Sequence, residues 1–138
     1  MKAFKLRILT PTGPLYQGDC TSIIIPTSDG MYGVLADHNN VVGTVSTGQM
    51  EITCKTEEVR RAAVSSGIFK VEDGNVLLLV ESAEWPENID IARAERAVNT
   101  AKEMLLSKQS NRAHSAAIAD LARALNRLNV ASWTRGHS

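Results

Sequence analysis

The feature that most constrains this chain is a change of apolar period at Trp85-Pro86-Glu87-Asn88. Before that point apolar residues recur at every second position; after it they recur every three or four. A period of two sends alternate side chains to opposite faces of a strand, whereas a period near 3.6 gathers them along one side of a helix. The chain is therefore β first and α second, and the reading is two domains, residues 1–84 and 85–138.

In the first part, runs such as Phe4-Lys5-Leu6-Arg7-Ile8 and Ser22-Ile23-Ile24-Ile25 are separated by Pro11-Thr12-Gly13-Pro14, Ser28-Asp29-Gly30, Asp37-His38-Asn39-Asn40, Thr47-Gly48, Ser65-Ser66-Gly67 and Glu72-Asp73-Gly74-Asn75. These are residues that tolerate turn dihedrals. Strands are predicted near 2–9, 15–26, 31–35, 41–46, 49–55, 58–65, 67–72 and 75–83. Many short strands with no helix between them argue for an antiparallel β-sandwich or flattened barrel, which buries one face of every strand.

In the second part, Pro86 precedes a helix that Asn88 is placed to cap. Ile91, Ala94, Val98, Ala101 and Leu105 form one seam. Beyond the polar break Ser107-Lys108-Gln109-Ser110-Asn111, a second seam runs through Ala117, Leu121, Ala124, Leu128 and Ala131. Two one-sided helices joined by a short break form an antiparallel hairpin, and the alanines let the axes approach closely. A mirror count about Gln109 sets Arg93 level with Leu125 and Asp90 level with Leu128, so Arg123 and Arg127 fall at the height of Asp90 and Arg93. A two-helix hairpin buries little area and is marginal by itself, so this arm is expected to be detachable.

Charge separates the same two parts. Residues 1–88 hold 7 Lys and Arg against 11 Asp and Glu, and residues 89–138 hold 8 against 4. The basic hairpin suits an acidic surface, a nucleotide or an anionic lipid. Nucleic acid is disfavoured: the cations are spread around both helices, aromatics are 4% of the chain, and Trp85 and Trp133 stand outside any basic cluster. Cys20 and Cys54 lack a second pair at metal spacing and read as two reduced thiols, with no metal site. The N-terminus reads as a strand rather than a signal peptide, and no run of about 18 apolar residues occurs, so contact with a membrane is expected only through partners.

Catalytic chemistry finds little support. His38 falls in a turn, His114 on an alanine-rich helix and His137 in the tail, with no nucleophile and orienting group around any of them. Gly30-Met31-Tyr32-Gly33 lacks the Gly-Lys-Ser/Thr and following helix of a phosphate loop and reads as a hairpin turn. The expectation is a protein that is not an enzyme.

Against this layout, Leu9-Thr10-Pro11-Thr12-Gly13-Pro14-Leu15-Tyr16 is similar to the opening hairpin of the epsilon subunits of rotary, proton-driven (F-type) ATP synthases. Asp29-Gly30-Met31-Tyr32-Gly33-Val34-Leu35-Ala36-Asp37-His38 resembles a second marker, with Met31 where the family usually has glutamate and Ala36-Asp37 where it has Pro-Gly. Ser65 to Val71 with Asn75 to Val80, then Ile89-Asp90-Ile91-Ala92-Arg93-Ala94, then Asn126-Arg127-Leu128-Asn129-Val130-Ala131 resemble three more, in family order along nearly the whole chain.

The resemblance implies a sandwich of about ten strands that clamps the gamma subunit and meets the c ring, with Met31, Tyr32 and His38 as rotor contacts. It implies a hairpin that, when extended, meets the alpha and beta subunits and obstructs ATP hydrolysis; Lys108, Arg112, Arg123 and Arg127 are the candidate inhibitory contacts. It further implies a regulatory, non-hydrolysing ATP site at Glu84, Asp90, Arg93, Arg123 and Arg127, with Thr100 where some ATP-binding members carry a basic residue. A peripheral position on the cytoplasmic face of a bacterial membrane follows, a plastid thylakoid being the alternative. From outside that family, the competing reading is a free-standing β-sandwich that binds a ligand or acts as a scaffold.

Overall fold

The computed structural model describes residues 2–107 and 110–137. The chain divides into two compact units, Met1–Glu84 and Trp85–Ser138. In the first, β1 (Phe4–Thr10), β2 (Gly13–Thr27), β3 (Gly30–Leu35), β4 (Val41–Val45), β5 (Gly48–Cys54), β6 (Val59–Val64), β7 (Gly67–Glu72), β8 (Asn75–Val80) and β9 (Ala83–Glu84) follow one another without a helix. Their order in space is β4-β7-β8-β1-β2-β5-β6-β9, with β3 also paired to β2. The path curls on itself: the Tyr32 ring of β3 lies 5.3 Å from Phe69 of β7, and Ser46 N–H donates to the Pro26 carbonyl of β2 at 2.9 Å. A curled sheet of this kind encloses its own core, here Leu6, Ile8, Ile23, Ile25, Met50, Ile52 and Leu78, all fully buried.

Three details depart from expectation. There are nine strands among the described residues, against about ten implied by the resemblance. One reason is that β2 runs unbroken for 15 residues, serving β1 with its first half and β3 and β5 with its second. The register shift between Cys20 and Ser22 is the bulge that lets it bend. Second, β1 and β8 pair in parallel, Leu6 opposite Val76 through Leu9 opposite Leu79, whereas every other pair is antiparallel. Alternation shows which face of a strand is buried and carries no label for its neighbour. Third, the predicted strand 75–83 breaks after Val80. Glu81 N–H donates to Ser66 O and Ser65 N–H to Ser82 O, both at 3.0 Å, while Ser82 N–H donates to the Ser65 hydroxyl at 2.9 Å. This kink releases the chain from β7 and passes it to β6, where Ala83 and Glu84 pair with Val64 and Ala63.

In the second unit a single 3-10 turn, Pro86–Asn88, precedes α1 (Ile91–Leu106) and α2 (Asn111–His137). The cap of α1 is Asp90, not Asn88: Asp90 Oδ1 accepts from Arg93 N–H at 3.0 Å. Asn88 ends the 3-10 turn, its N–H donating to the Trp85 carbonyl at 3.0 Å, and Ile89 beyond it is extended (φ −79°, ψ 125°), so no helical turn follows Asn88 for its side chain to cap. Ser110 caps α2, its hydroxyl accepting from Ala113 N–H at 3.1 Å. The facing seams are mostly alanine: Ala94, Val98 and Ala101 against Ala117, Ala124, Val130 and Ala131 are buried, and Ile91, Leu105, Leu121 and Leu128 are half-buried. At 27 residues against 16, α2 outruns α1 by about 16 Å at 1.5 Å per residue. It also packs on the Pro86–Asn88 turn.

Candidate functional sites

The end of the sandwich carrying Met31, Tyr32 and His38 is built around one hairpin. Thr27 pairs with Gly30 across a two-residue Ser28-Asp29 turn. The Thr27 hydroxyl donates to Gly30 O at 2.6 Å and accepts from Asp29 N–H at 3.2 Å, and Gly30 supplies the φ of 115° that closes the turn. Gly30 to Gly33 thus open β3, and no helix starts there to hold a phosphate. Met31, opposite Pro26, is 60% exposed.

Tyr32 and His38 are six residues apart yet in contact. Their rings meet edge-on with centroids 5.5 Å apart, and Tyr32 Oη lies 3.1 Å from His38 Nε2. His38 Nδ1 is 2.7 Å from the Asn39 carbonyl, which only accepts. Nδ1 therefore carries the proton of the neutral ring and Nε2 accepts from the Tyr32 hydroxyl. Between them, Asp37 has φ 65°, the left-handed conformation that a glycine at this place would adopt freely. Its carboxylate receives Lys2 Nζ at 2.8 and 3.0 Å, and Asn40 Oδ1 accepts from Asp73 N–H at 3.0 Å. Ala36-Asp37, where the resemblance expects Pro-Gly, thus turns through a left-handed residue that also carries an ion pair. Sequence reading passed over Lys2, whose partner lies 35 residues away.

The basic residues of the hairpin are brought together only in part. Arg123 and Arg127 line a cavity of about 250 Å³ with Ala97, Thr100, Ala101, Met104, Asp120 and Ala124. Asp90 and Arg93 are not part of its wall. The mirror count concerned Cα levels, but helical side chains slant toward the N-terminus of their own helix. On α2 that direction is toward the bend, so Arg123 and Arg127 reach Thr100 and Met104. On antiparallel α1 the same slant runs the opposite way, away from the bend.

Asp90 is exposed and occupied as a helix cap. Arg123 is ion-paired with Asp120 one turn earlier, a partner legible as an i,i+3 spacing. Glu84 lies on β9 opposite Ala63, half-buried, in the first unit. Arg112 is exposed in the first turn of α2. Lys108 lies outside the described residues, as do the side-chain surroundings of His137; His114 is exposed on α2.

Among the described residues no three His, Cys, Asp or Glu side chains are grouped to hold a metal ion, and no helix is long and apolar enough to cross a membrane.

A strand-only sandwich followed by an alanine-seamed helical pair defines the class. Residues 3–86 match the ATP synthase delta/epsilon chain beta-sandwich domain, and residues 87–132 match the delta/epsilon chain long alpha-helix domain. Among curated relatives, the ATP synthase epsilon chain of Caldanaerobacter subterraneus subsp. tengcongensis is 41% identical over 132 residues, 95% of each chain. That of Ruminococcus albus is 38% identical over 133 residues, 96% of this chain and 98% of the relative. The fold is shared with a chain in the cryo-EM structure of the Euglena gracilis mitochondrial ATP synthase, OSCP/F1/c-ring, with a TM-score of 0.79 at 22% identity over 90% of this chain and 78% of that one. The chain belongs to the ATP synthase epsilon chain family.

Proposed function

We propose that this chain is a non-catalytic rotor subunit of a rotary ATP synthase, peripheral on the cytoplasmic face of a bacterial membrane. Its sandwich clamps the gamma subunit and meets the c ring through the end that carries Met31, Tyr32 and His38. The observation that carries the reading is the match of both units, in order, to the epsilon family over 95% of the chain. The rigid Tyr32–His38 pair under an exposed Met31 supports a docking role, since a preorganised loop loses little freedom on binding. A family glutamate would offer carboxylate hydrogen bonds at position 31; here an apolar thioether makes van der Waals contact instead.

The hairpin, in this reading, is the regulatory arm. Extended, it lies against the alpha and beta subunits and obstructs hydrolysis, with Lys108, Arg112, Arg123 and Arg127 facing acidic surface. Folded, it binds one ATP without hydrolysing it. Arg123 and Arg127 beside Thr100 supply guanidiniums suited to bidentate contact with phosphate, while Arg93 and Asp90 complete the constellation within the second unit. The Asp120–Arg123 pair competes with that ligand.

The decisive experiment has two arms. Deleting residues 89–138 from the assembled synthase is expected to release ATP hydrolysis with rotor assembly intact; unchanged hydrolysis refutes the inhibitory arm. Titrating the full chain with ATP, followed by Trp85 and Trp133 fluorescence and by calorimetry, is expected to saturate. No saturation up to millimolar ATP, or equal binding after Arg93→Ala and Arg127→Ala together, removes the sensor.

A further inference from the structure

Cys20 and Cys54 are far apart in sequence, yet they stand directly opposite each other in the β2–β5 pair. Both face the core. Cys20 pairs with Phe4 on its other side and is fully buried; Cys54 follows Met50 and Ile52 on the inward positions of β5 and is half-buried.

The kind of pair is also fixed. Cys54 N–H donates to Glu58 O at 2.8 Å and its carbonyl accepts from Glu57 N–H at 2.9 Å. Both backbone groups are thus turned toward the β5–β6 side. A residue in an extended strand points its N–H and carbonyl to the same side, so Cys20 and Cys54 form a non-hydrogen-bonded pair. There the Cα atoms stand about 4.5 Å apart and the side chains are at their closest. That separation falls within the roughly 4.4–6.8 Å that a disulfide spans. The bulge at Cys20/Ser22 provides local backbone adjustment.

We propose that Cys20 and Cys54 are a reversible redox pair, closing to an intrachain cross-strand disulfide when a hydroperoxide reaches Cys54. Cys54, the less buried residue of the two, reacts first; Cys20 resolves. In the first step the Cys54 thiol gives up its proton and the thiolate attacks the terminal peroxide oxygen as the O–O bond breaks. The sulfur becomes a sulfenic acid, oxidised by two electrons, and the departing hydroxide (or alkoxide, from an organic hydroperoxide) takes up that proton and leaves as water (or an alcohol). In the second, the Cys20 sulfur attacks the Cys54 sulfur and the S–O bond breaks. The hydroxide that leaves takes the Cys20 proton as a second water, leaving the S–S bond. A dithiol reductant reverses the change by thiol–disulfide exchange.

The roles agree with the surroundings. Burial, with the Cys54 charge next, pushes the Cys20 thiol up to about 12, while a hydrogen bond from Ser22 backbone acts in the other direction. Cys20 is therefore a poor first nucleophile, held against the sulfur it resolves. The Tyr16 phenol, lying over Gly18, which has no side chain to displace it, shares a hydrogen bond with Cys54. Arg60 belongs to the same neighbourhood, since its charge acts on Tyr16.

The test uses the full reduced chain, treated with hydrogen peroxide, then unfolded in an alkylating reagent and analysed by intact mass and peptide mapping. Both thiols are expected to disappear from alkylation together, with the mass of two hydrogen atoms lost, a Cys20–Cys54 linked peptide present, and both thiols recovered by dithiothreitol. In Cys20→Ala, Cys54 is expected to pass on to sulfinic and sulfonic acids that dithiothreitol does not reverse. Accumulation of oxidised Cys54 in the wild-type chain with Cys20 still alkylatable overturns the proposal. So does linkage found only between chains. Both outcomes are read on the wild-type protein and do not depend on the variant folding.

Discussion

Gly67→Ala isolates what holds the sandwich together. Gly67 opens β7, opposite Val45 of β4 on one side and Val80 of β8 on the other. A Cβ added there would sit 2.0 Å from the Leu79 carbonyl oxygen and 2.7 Å from Val80 Cα. Both obstacles are backbone, so no side-chain rotation relieves them. Ordinary contact needs about 3.5 Å, which means β8 has to move by roughly 1 Å or more. β8 is not free to move: Leu6 to Leu9 of β1 pair along its other edge, and Val76, Leu78 and Val80 are buried.

Overpacking costs typically 1–3 kcal/mol, and a backbone obstacle belongs at or above the upper end, about 3 kcal/mol. At a urea m-value of about 1.5 kcal/mol per molar, the midpoint falls by roughly 2 M. The control is Gly74→Ala, where φ is 80° but nothing lies within 4 Å of the added Cβ; left-handed strain alone costs about 1 kcal/mol. Urea unfolding followed by near-ultraviolet dichroism of Tyr16 and Tyr32, the two tyrosines, both in the sandwich, gives both values. A Gly67→Ala midpoint no lower than that of Gly74→Ala would refute the reasoning.

Asp90→Ala is expected to destabilise the hairpin by about 1 kcal/mol through loss of the α1 cap, and Asp90→Asn by a few tenths at most; hydrogen exchange of the first-turn amides of α1 reads the difference, and equal protection in both variants would contradict it. At alkaline pH, burial, reinforced by Cys54, pushes the Tyr16 phenol up to about 12 from an ordinary 10.0, and Cys20 rises to about 12 from 9.0. Both groups hold their protons more tightly folded than unfolded, so stability should fall as pH rises from about 9 toward 12. Spectrophotometric titration should show one phenol ionising well above the ordinary range, and two ordinary phenols would contradict the packing around Tyr16.

What sequence could reveal depended on how local the cause was. Alternation in Phe4-Lys5-Leu6-Arg7-Ile8 marked the buried face of β1 because burial acts residue by residue. Its parallel partner β8, some 70 residues on, left no local trace. Asn88 and Asp90 are both good caps by type, and only the extended backbone at Ile89, which ends the 3-10 turn, decides between them. At the candidate ATP site, the four-residue spacing of Arg123 and Arg127 put them on one face, and both line the same cavity. Arg93 does not line that cavity, and a count of Cα levels, which omits side-chain slant, gave no sign of this. The Tyr32–His38 contact came from a turn whose left-handed residue, Asp37, is not a glycine and so gave no conformational signal.

The seam composition bears directly on the regulatory proposal. Among the described residues, five of the seven buried side chains on α1 and α2 are alanines, the others Val98 and Val130. A buried methyl or methylene group contributes about 0.8 kcal/mol, and the ordering of two helices offsets much of the sum, so the arm is held by a small margin. Met104, Leu106, Ile118 and Leu125 remain exposed, apolar surface that an extended arm would have available for another subunit. ATP at about 1,000 times its dissociation constant would add about 4 kcal/mol to the folded form, enough to decide an equilibrium this closely balanced. A seam of leucines would bury more and make the folded arm insensitive to such a ligand. Replacing Ala101 and Ala117 by larger apolar residues separates this from simple packing. If close approach of the axes is what holds the arm, the replacements should spread the helices and lower hairpin protection in hydrogen exchange. Higher protection would instead mean that the alanine seam leaves room to fill, and the argument from a narrow margin would fail.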